Sequence, residues 1–369
     1  MKRRSFLKGS AVAAMGTTAA AAGLAAPAIA QGRERWTMVT SWPRNLPGPG
    51  VAANMLAERI TALSGGRLEV KVSAAGELVP ARGVFDAVSQ GTAQLYHSVP
   101  AYWGSKSKGI LLFGSQPFGL TAIEQSGWMN HGGGQKLYEE MYGRFNIQPF
   151  LCGNSGAQWF GWFRNEIKSA DDLRGLRFRT AGLNSEVLSR LGMAVQAMGG
   201  PEMFQALQSG TLDAGEFIGP WSDSSLGFYQ VAKNYYHPTV GEPSSAEEVG
   251  INKQAYDKLP NDLKQSVRLA AQSLYDQVLT EYNTNNAKAL DMMVKQHGVQ
   301  IRKLPEDVLK AIGTAAGEVL AEMREDQDDL VKRITQSYID YRTLTADYMR
   351  LADGAFYEAR ALEYKYPRS

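Results

Sequence analysis

The sequence predicts an α/β protein built from two related lobes and followed by a long helical C-terminal region. Three observations support this fold class. Strand and helix patterns alternate as β-α-β-α-β near the N terminus and restart after residue 146. The phrase FDAVSQGTAQ at 85–94 returns as FQALQSGTLD at 204–213. From Lys253 onward, long helical patterns replace the alternation.

The spacing of the apolar residues predicts the strands and helices of the first lobe. Alternation predicts strands over 35–42, 67–74 and 94–99, whereas apolar residues three or four positions apart predict helices over 48–65 and 84–89. This order is typical of an α/β layer with a mostly parallel sheet.

The second lobe repeats the pattern. The sequence predicts strands and helices over the following ranges: strands 147–153, 158–164, 176–180 and about 212–218, helices about 184–190 and 203–208. The repeated phrase holds the same place in both units. In each, a short helix ends on a glycine, Gly91 or Gly210, which suits a left-handed cap, and the next strand begins at once.

The C-terminal third is mainly helical. Its sequence pattern predicts a helix over 260–296, a strand over 299–304 and nearly continuous helix over 306–364. Two small lobes need less helix than this, so we expect part of it to bridge the lobes, brace them or contact a second chain. The predicted domains are a first lobe (31–153 plus about 240–270), a second lobe (154–239 plus about 271–330) and a C-terminal helix (331–369).

Residues 1–30 predict a twin-arginine export signal that is removed from the mature protein, which places that protein in the periplasm. RRSFLK at 3–8 precedes a weakly apolar run, and Ala28-Ile29-Ala30 fits a small-residue cleavage site. A membrane anchor is the alternative. The run is interrupted by threonines, however, and falls short of the ~20 apolar residues that a spanning helix needs.

Composition argues against several function classes. Without the four basic residues of the signal, the chain has 35 basic and 37 acidic residues, which gives no reason to bind nucleic acid. Cys152 is the only cysteine, so neither an internal disulfide nor a cysteine metal cluster can form. P-loop, dinucleotide-binding, zinc-protease and nucleophile-elbow motifs are absent from the sequence. Nothing in the motifs points to an enzyme.

Arg179, Glu216 and Gln158 are the candidate ligand-binding residues. Alternation in LRFRT places Arg179 at the carboxyl end of a strand, where open α/β sheets bind ligands. A guanidinium there can hold a carboxylate through two parallel hydrogen bonds, and a surface salt bridge is the alternative. Glu216 lies between a strand and an aromatic loop, so it either faces solvent or needs a cation, an arginine or water. The amide oxygen of Gln158 could bind a hard cation, although a lone glutamine is ordinarily a surface residue.

Several motifs in their order resemble the solute-binding subunits of tripartite ATP-independent periplasmic (TRAP) transporters, the DctP family. These are the export signal, PFGLTAIE, DDLRGLRFRTAG, and GTLDAGEFIGP with YYHPTVGEP. The likeness spans essentially the whole mature chain and is greatest to the subgroup that binds 2-oxo acids and related monocarboxylates such as pyruvate or lactate. The resemblance implies a periplasmic binding protein fold that closes around its ligand, delivery to integral membrane subunits, and no catalysis.

The resemblance also implies roles for single residues. Arg179 matches the family arginine that grips the substrate carboxylate. Gln158, Glu216 and Glu242 match positions that hold a metal ion against the substrate, and Phe217 would contribute its backbone carbonyl. Many other family members carry an asparagine next to that glutamate, so Phe217 favours the metal-using subgroup. A hard cation, Na⁺ or Ca²⁺, takes such oxygen ligands and pairs with the carboxylate and adjacent oxygen of a 2-oxo or 2-hydroxy acid.

Other assignments remain open at this point. Tyr102 and Trp103 fit either cleft walls or core, and Glu247 and Glu248 lie close enough to Glu242 to take its place. A sugar acid or a dicarboxylate is an alternative ligand. An exported metal-assisted enzyme and a ligand-sensing subunit are alternative functions.

The C-terminal helix predicts a homodimer. Apolar residues between 331 and 364 recur at three- and four-residue steps, which gives a stripe wide enough to need burial. Packing on the helix's own lobe is the alternative. The similar subgroup includes dimers that exchange a terminal helix, which would form an isologous twofold contact.

Overall fold

The structure is a computed structural model that describes residues 33–367. The predicted export signal lies outside the described residues. The strands, in chain order, are β1 (Glu34–Thr40), β2 (Leu68–Ser73), β3 (Leu95–Ser98), β4 (Ile147–Asn154), β5 (Gly161–Phe163), β6 (Arg177–Arg179), β7 (Ala194–Gln196), β8 (Ala214–Gly215), β9 (Asn234–His237), β10 (Ala246–Asn252) and β11 (Gln300–Lys303).

Helices surround these strands, and none of the described helices is long and apolar enough to cross a membrane. The α-helices are α1 (Pro49–Leu63), α2 (Val84–Ser89), α3 (Lys108–Leu111), α4 (Ala122–His131), α5 (Gly134–Gly143), α6 (Gly182–Arg190), α7 (Gly200–Ser209), α8 (Pro220–Leu226), α9 (Phe228–Val231), α10 (Lys253–Lys258), α11 (Asn261–His297), α12 (Glu306–Arg324), α13 (Asp329–Met349) and α14 (Ala355–Arg360).

Two sheets form the centres of the two lobes. The first has the order β2-β1-β3-β10-β4, and the second has the order β11-β9-β5-β8-β6-β7. The predicted two-lobed α/β class with a long helical C-terminal region is confirmed. The prediction of a mostly parallel first sheet was incomplete, because β10 returns from the other lobe and runs antiparallel to β3 and β4.

The repeated phrase has the predicted geometry. Gly91 and Gly210 have φ angles of 80° and 76°, the left-handed conformation that a helix end of this kind requires. The strand that follows Gly210 is shorter than predicted, because β8 ends at Gly215. Glu216 therefore begins a loop, and the next two residues, Phe217 and Ile218, line the space between the lobes.

Two segments cross between the sheets, and they pair with each other. Residues 155–160 leave β4 for β5, and residues 238–245 return from β9 to β10. Their backbones are joined where Gln158 N–H donates to Glu242 O at 3.1 Å and Ser155 N–H donates to Ser245 O at 3.0 Å. A ligand held by these crossings would therefore lie between the two lobes.

The C-terminal helices brace the lobes. Helix α11 packs on β4 and α1 of the first lobe and on α8 of the second, so the predicted lobe boundary near residue 270 falls inside one continuous helix. The division into domains stays a prediction. The predicted continuous helix over 306–364 is interrupted after α12, where the Asp328 side chain accepts from Leu330 N–H and starts α13.

The predicted apolar stripe divides into two parts. Leu330, Val331, Ile334 and Tyr338 are buried on the first lobe of their own chain, where α13 packs on α3, α4 and α5. Beyond them most of the large apolar side chains are exposed: Leu344, Tyr348, Leu351, Phe356, Tyr357, Leu362, Tyr364 and Tyr366. Only this second part is available to a partner.

Candidate functional site

A small cavity lies between the lobes. Its walls come from both crossing segments, from the end of β6 and from the loop after β8. Five of the predicted site residues are near one another here, because Gln158, Arg179, Phe217, Glu242 and Tyr102 all line it.

Arg179 stands at the carboxyl end of β6, where the alternation in LRFRT placed it. It is 2% exposed. Its Nε donates to Met198 O at 2.9 Å, its Nη1 donates to Glu216 O at 2.6 Å, and its guanidinium carbon lies 4.8 Å from the centre of the Phe217 ring. No described residue accepts a hydrogen bond from Nη2. The guanidinium is thus fixed in orientation while one of its nitrogens is left for a ligand.

Four oxygen-bearing groups converge beside Arg179. One atom of the Gln158 amide lies 2.6 Å from Glu216 Oε1, 3.0 Å from Glu242 Oε2 and 3.1 Å from Phe217 O, and the other amide atom lies 2.7 Å from Ser155 Oγ. Two arrangements satisfy these atoms. Either the amide nitrogen donates to the three oxygens, or the amide oxygen joins them around a cation. An amide that can turn over would serve both the cation-free and the cation-bound protein.

Once a cation is present, the charges around Gln158 favour the arrangement in which its amide oxygen faces the cation. Burial and the neighbouring Glu242 raise the pKa of Glu216 well above its usual range, and burial raises the pKa of Glu242 to about 7. The Arg179 Nη1 lies 3.7 Å from Glu216 Oε2, so one positive charge faces two buried carboxyl groups. A bound cation would balance the second charge.

The donor set fits a hard cation. The described residues contain no group of three or more histidine, cysteine, aspartate and glutamate side chains placed to hold a metal ion. Two carboxylates, an amide oxygen and a backbone carbonyl are instead oxygen ligands of the kind that Na⁺ and Ca²⁺ take. The residues of the predicted metal site therefore fit the predicted ion, and their roles stay a prediction.

Asp223 positions the loop that carries this site, and sequence reasoning missed it. It is 2% exposed. Its Oδ1 accepts from the N–H groups of Ile218 and Gly219, both at 3.2 Å, and its Oδ2 accepts from Trp162 Nε1 at 2.9 Å and from the Tyr235 hydroxyl. The available signal was an aspartate in the first turn of a helix that begins with proline, a position that favours bonds to free N–H groups.

The remaining candidate residues divide into those that line the cavity and those that lie in the core. Tyr102 lines the cavity, whereas Trp103 is buried in the core and donates its Nε1 to Glu248 Oε1 at 2.7 Å. Glu242 belongs to the oxygen cluster, Glu247 lines the cavity, and Glu248 points into the core of the first lobe. Glu242, the acid that matches the family position, is thus also the one that contacts Gln158.

A buried polar cavity between two lobes, with an oriented arginine beside an oxygen cluster, is typical of a solute-binding protein. Comparison of the sequence with protein-family models identifies which one. The chain belongs to the DctP family, the bacterial extracellular solute-binding proteins of family 7, whose model matches residues 38–327. The resemblance to the solute-binding subunits of TRAP transporters is thereby confirmed.

Similar proteins share both the sequence and the fold. A monocarboxylate 2-oxoacid-binding periplasmic protein of Nostoc sp. is 34% identical over 93% of this chain and 94% of its own. A TRAP solute-binding protein of Pseudoalteromonas atlantica with bound sodium and pyruvate is 34% identical, with a TM-score of 0.85 over 90% of this chain and all of its own. One from Bordetella bronchiseptica, a dimer with calcium and picolinate in one site, is 32% identical, with a TM-score of 0.86 over 89% of this chain and 97% of its own.

Proposed function

We propose that this protein binds a small 2-oxo or 2-hydroxy monocarboxylate, such as pyruvate or lactate, together with Na⁺ or Ca²⁺ between its two lobes. It delivers the acid to the integral membrane subunits of a TRAP transporter and catalyses no reaction. The observation that carries this proposal is the buried oxygen cluster of Gln158, Glu216, Phe217 and Glu242 beside the oriented Arg179. A chelating acid has a carboxylate for the arginine and a second oxygen for the cation.

Each residue has a separate task in this proposal. Arg179 receives the ligand carboxylate, and Tyr102 closes the cavity from the first lobe. Gln158, Glu216, Glu242 and the carbonyl of Phe217 hold the cation, with Gln158 and Phe217 also beside the ligand. Because Gln158 and Glu242 belong to the two crossing segments, binding of the cation and acid favours the closed arrangement of the lobes.

Native mass spectrometry of freshly purified protein tests the proposal. We expect a bound mass equal to a small monocarboxylate plus one Na⁺ or Ca²⁺. After unfolding, dialysis and refolding, titration calorimetry should show binding of pyruvate or lactate only when the cation is restored. Binding of a sugar acid or a dicarboxylate alone would replace the ligand assignment. Ligand recovered chemically changed after incubation would mean an enzyme.

The location and the transport partners rest on the family and on the N terminus. The family is extracellular in the sense of lying outside the cytoplasm. Together with the predicted twin-arginine signal of residues 1–30, the family supports a periplasmic location for the mature protein. Fractionation of cells that express the full chain should recover the protein, shortened by about the length of this signal, in the periplasmic fraction.

The exposed end of the C-terminal helix would join two copies as a homodimer. A chain truncated after Thr345 keeps Ile334 and Tyr338 in its own core but loses nearly all of the exposed apolar stripe. Sedimentation equilibrium should give about twice the mature chain mass for the full protein and a single chain mass for the truncated one. A full-length monomer at every accessible concentration would contradict the dimer, and unchanged ligand affinity in the truncated protein would confirm that its lobes fold.

A further inference from the structure

Thr180 lies outside the cavity and hydrogen-bonds one of the proposed cation ligands. It follows Arg179 at the end of β6, is fully buried, and is not among the residues that line the cavity. Its hydroxyl donates to Glu216 Oε2 at 3.1 Å. A residue in this position does not contact a ligand in the cavity, so any part that it has in binding acts through Glu216.

The two carboxyl oxygens of Glu216 have different surroundings. Oε1 lies 2.6 Å from an atom of the Gln158 amide, inside the oxygen cluster. Oε2 accepts from Thr180 instead, and Arg179 Nη1, at 3.7 Å from it, is too distant for a hydrogen bond. The Thr180 hydroxyl is thus the only group of the described chain that hydrogen-bonds Oε2, and it fixes which oxygen of the carboxyl group faces the cluster.

Asn184 determines the direction of this hydrogen bond. Its Nδ2, which can only donate, bonds Thr180 Oγ1 at 3.1 Å. Because the hydroxyl oxygen accepts there, its single proton goes to Glu216 Oε2. The opposite orientation of the amide would take that proton and leave Glu216 Oε2 without a donor among the described residues. Asn184 is also confined, since a Cβ at Gly241 would lie 2.6 Å from its Nδ2.

The other buried threonines use their hydroxyl groups differently. Three threonines of the described chain are buried: Thr40, Thr180 and Thr335. Thr40 and Thr335 donate to nearby backbone carbonyls, Trp42 O at 3.2 Å and Val331 O at 2.8 Å, as threonine hydroxyls commonly do. Thr180 instead donates to a carboxyl group that is 36 positions away in the chain. Hydrogen bonds to an ionised acceptor are roughly twice as strong as those between neutral groups.

We propose that Thr180 is a positioning residue for the cation: its hydroxyl, oriented by Asn184, holds Glu216 Oε2 so that Oε1 stays directed at the bound ion. This inference rests on the proposed function, in which Glu216 is a cation ligand. Carboxylates that bind metal ions are themselves held by hydrogen bonds, and loss of the residue that holds them typically weakens metal binding about 10- to 100-fold. Without the hydroxyl, the carboxylate rotates more freely, and binding of the ion has to order it.

Calorimetric titration of the refolded, cation-free protein with Ca²⁺ tests the role of Thr180. Thr180→Val has nearly the same shape but no hydroxyl, and we expect it to weaken Ca²⁺ binding about 10- to 100-fold. Thr180→Ser restores the hydroxyl and should keep most of the affinity. Thr335→Val removes an equally buried hydroxyl from α13, so it is the matched control and should bind Ca²⁺ as the wild type does.

A double substitution shows whether Thr180 acts through Glu216. In protein that already carries Glu216→Ala, no carboxylate is left for the hydroxyl to hold. Thr180→Val should then lower the Ca²⁺ affinity by less than about twofold further, because two residues that act on the ion as one unit do not give additive losses. A general disturbance of the second lobe would weaken Ca²⁺ binding to the same extent in both backgrounds. Melting temperatures of the cation-free variants report their folding separately.

Three results would overturn this inference while leaving the proposed function intact. They are wild-type Ca²⁺ affinity in Thr180→Val, an equal loss in Thr180→Ser, and an undiminished loss in the Glu216→Ala background. If Thr180→Val fails to fold, Thr180→Ala takes its place in the same comparisons. Failure of the wild-type protein to bind pyruvate or lactate with either Na⁺ or Ca²⁺ would overturn the proposed function and this inference with it.

Discussion

Replacing Arg179 with lysine should weaken binding of pyruvate or a similar acid by about 100-fold while leaving the fold intact. Lysine keeps the positive charge but lacks the planar fork that can bond Met198 O, Glu216 O and the ligand together. A hydrogen bond to a charged group contributes about 1.5–3 kcal/mol. Loss of one or two of them raises the dissociation constant by about tenfold for every 1.4 kcal/mol. Titration calorimetry in the presence of Ca²⁺ measures the change.

Arg177 provides a matched control two residues away on the same strand. It lies on the same face of β6 but at the strand's amino end, outside the lining of the cavity, and it is half-exposed and pairs with Asp213 at 2.6 and 2.8 Å. Arg177→Lys should change the affinity by less than about twofold, because exposed ion pairs contribute about 1 kcal/mol or less and this one does not face the cavity. Equal losses in both variants would mean that the strand, and not the guanidinium of Arg179, supports binding.

Arg179→Ala is a harsher test with a different expected signature. It removes the only described cation near Glu216, and breaking a buried ion pair typically costs about 3–5 kcal/mol of stability. We therefore expect both the melting temperature and the ligand affinity to fall. Wild-type affinity in the lysine and alanine variants would remove Arg179 from the site.

Sequence patterns predicted those features that are determined by residues close together in the chain. The position of Arg179 follows from alternation within five residues, and the glycine caps of the repeated phrase follow from a short helix that stops before a strand. The cation site is different, because Gln158 and Glu242 meet only through the register of two crossing segments that are 84 residues apart. No property of either segment alone specifies that register, and only the resemblance to a family pointed to the pair.

The feature of the fold that the sequence patterns did not predict is strand β10, which runs antiparallel within the first sheet. All seven of its residues are buried, yet the strand contains two consecutive glutamates and so lacks the apolar pattern of a central strand. The partners that make Glu248 tolerable there are Tyr138 and Tyr142 on α5, together with Tyr96 and Trp103. Residues more than 100 positions away thus decide that this acidic segment is buried, and a reading of neighbouring residues does not reach them.

The second large effect concerns the cation. Glu216→Gln should lower Ca²⁺ affinity by about 100-fold or more and weaken the binding of pyruvate to the level seen in chelated wild-type protein. The change removes a negative charge from a hard-cation site and turns one of its oxygen ligands into an amide. Because ligand and cation share the site, the two losses should not add. Chelation of Glu216→Gln should therefore cost little further ligand affinity. Glu318→Gln, at an exposed glutamate on α12, is the matched control and should behave as wild type.

The pH dependence provides an independent check on the same pair of acids. In the cation-free protein, burial raises the pKa of Glu242 to about 7 and raises that of Glu216 well above its usual range. The folded chain thus holds protons that the unfolded chain releases near pH 4.5, so these groups stabilise the cation-free fold at low pH and lose that contribution as the pH rises past about 7. Ca²⁺ must displace the same protons, so its affinity, and the rise in melting temperature that it produces, should grow between pH 5 and pH 8. Thermal unfolding with and without Ca²⁺ across this range measures the effect. A Ca²⁺-induced shift that stays the same at every pH, or that persists undiminished in Glu216→Gln, would mean that the two carboxyl groups do not hold the cation.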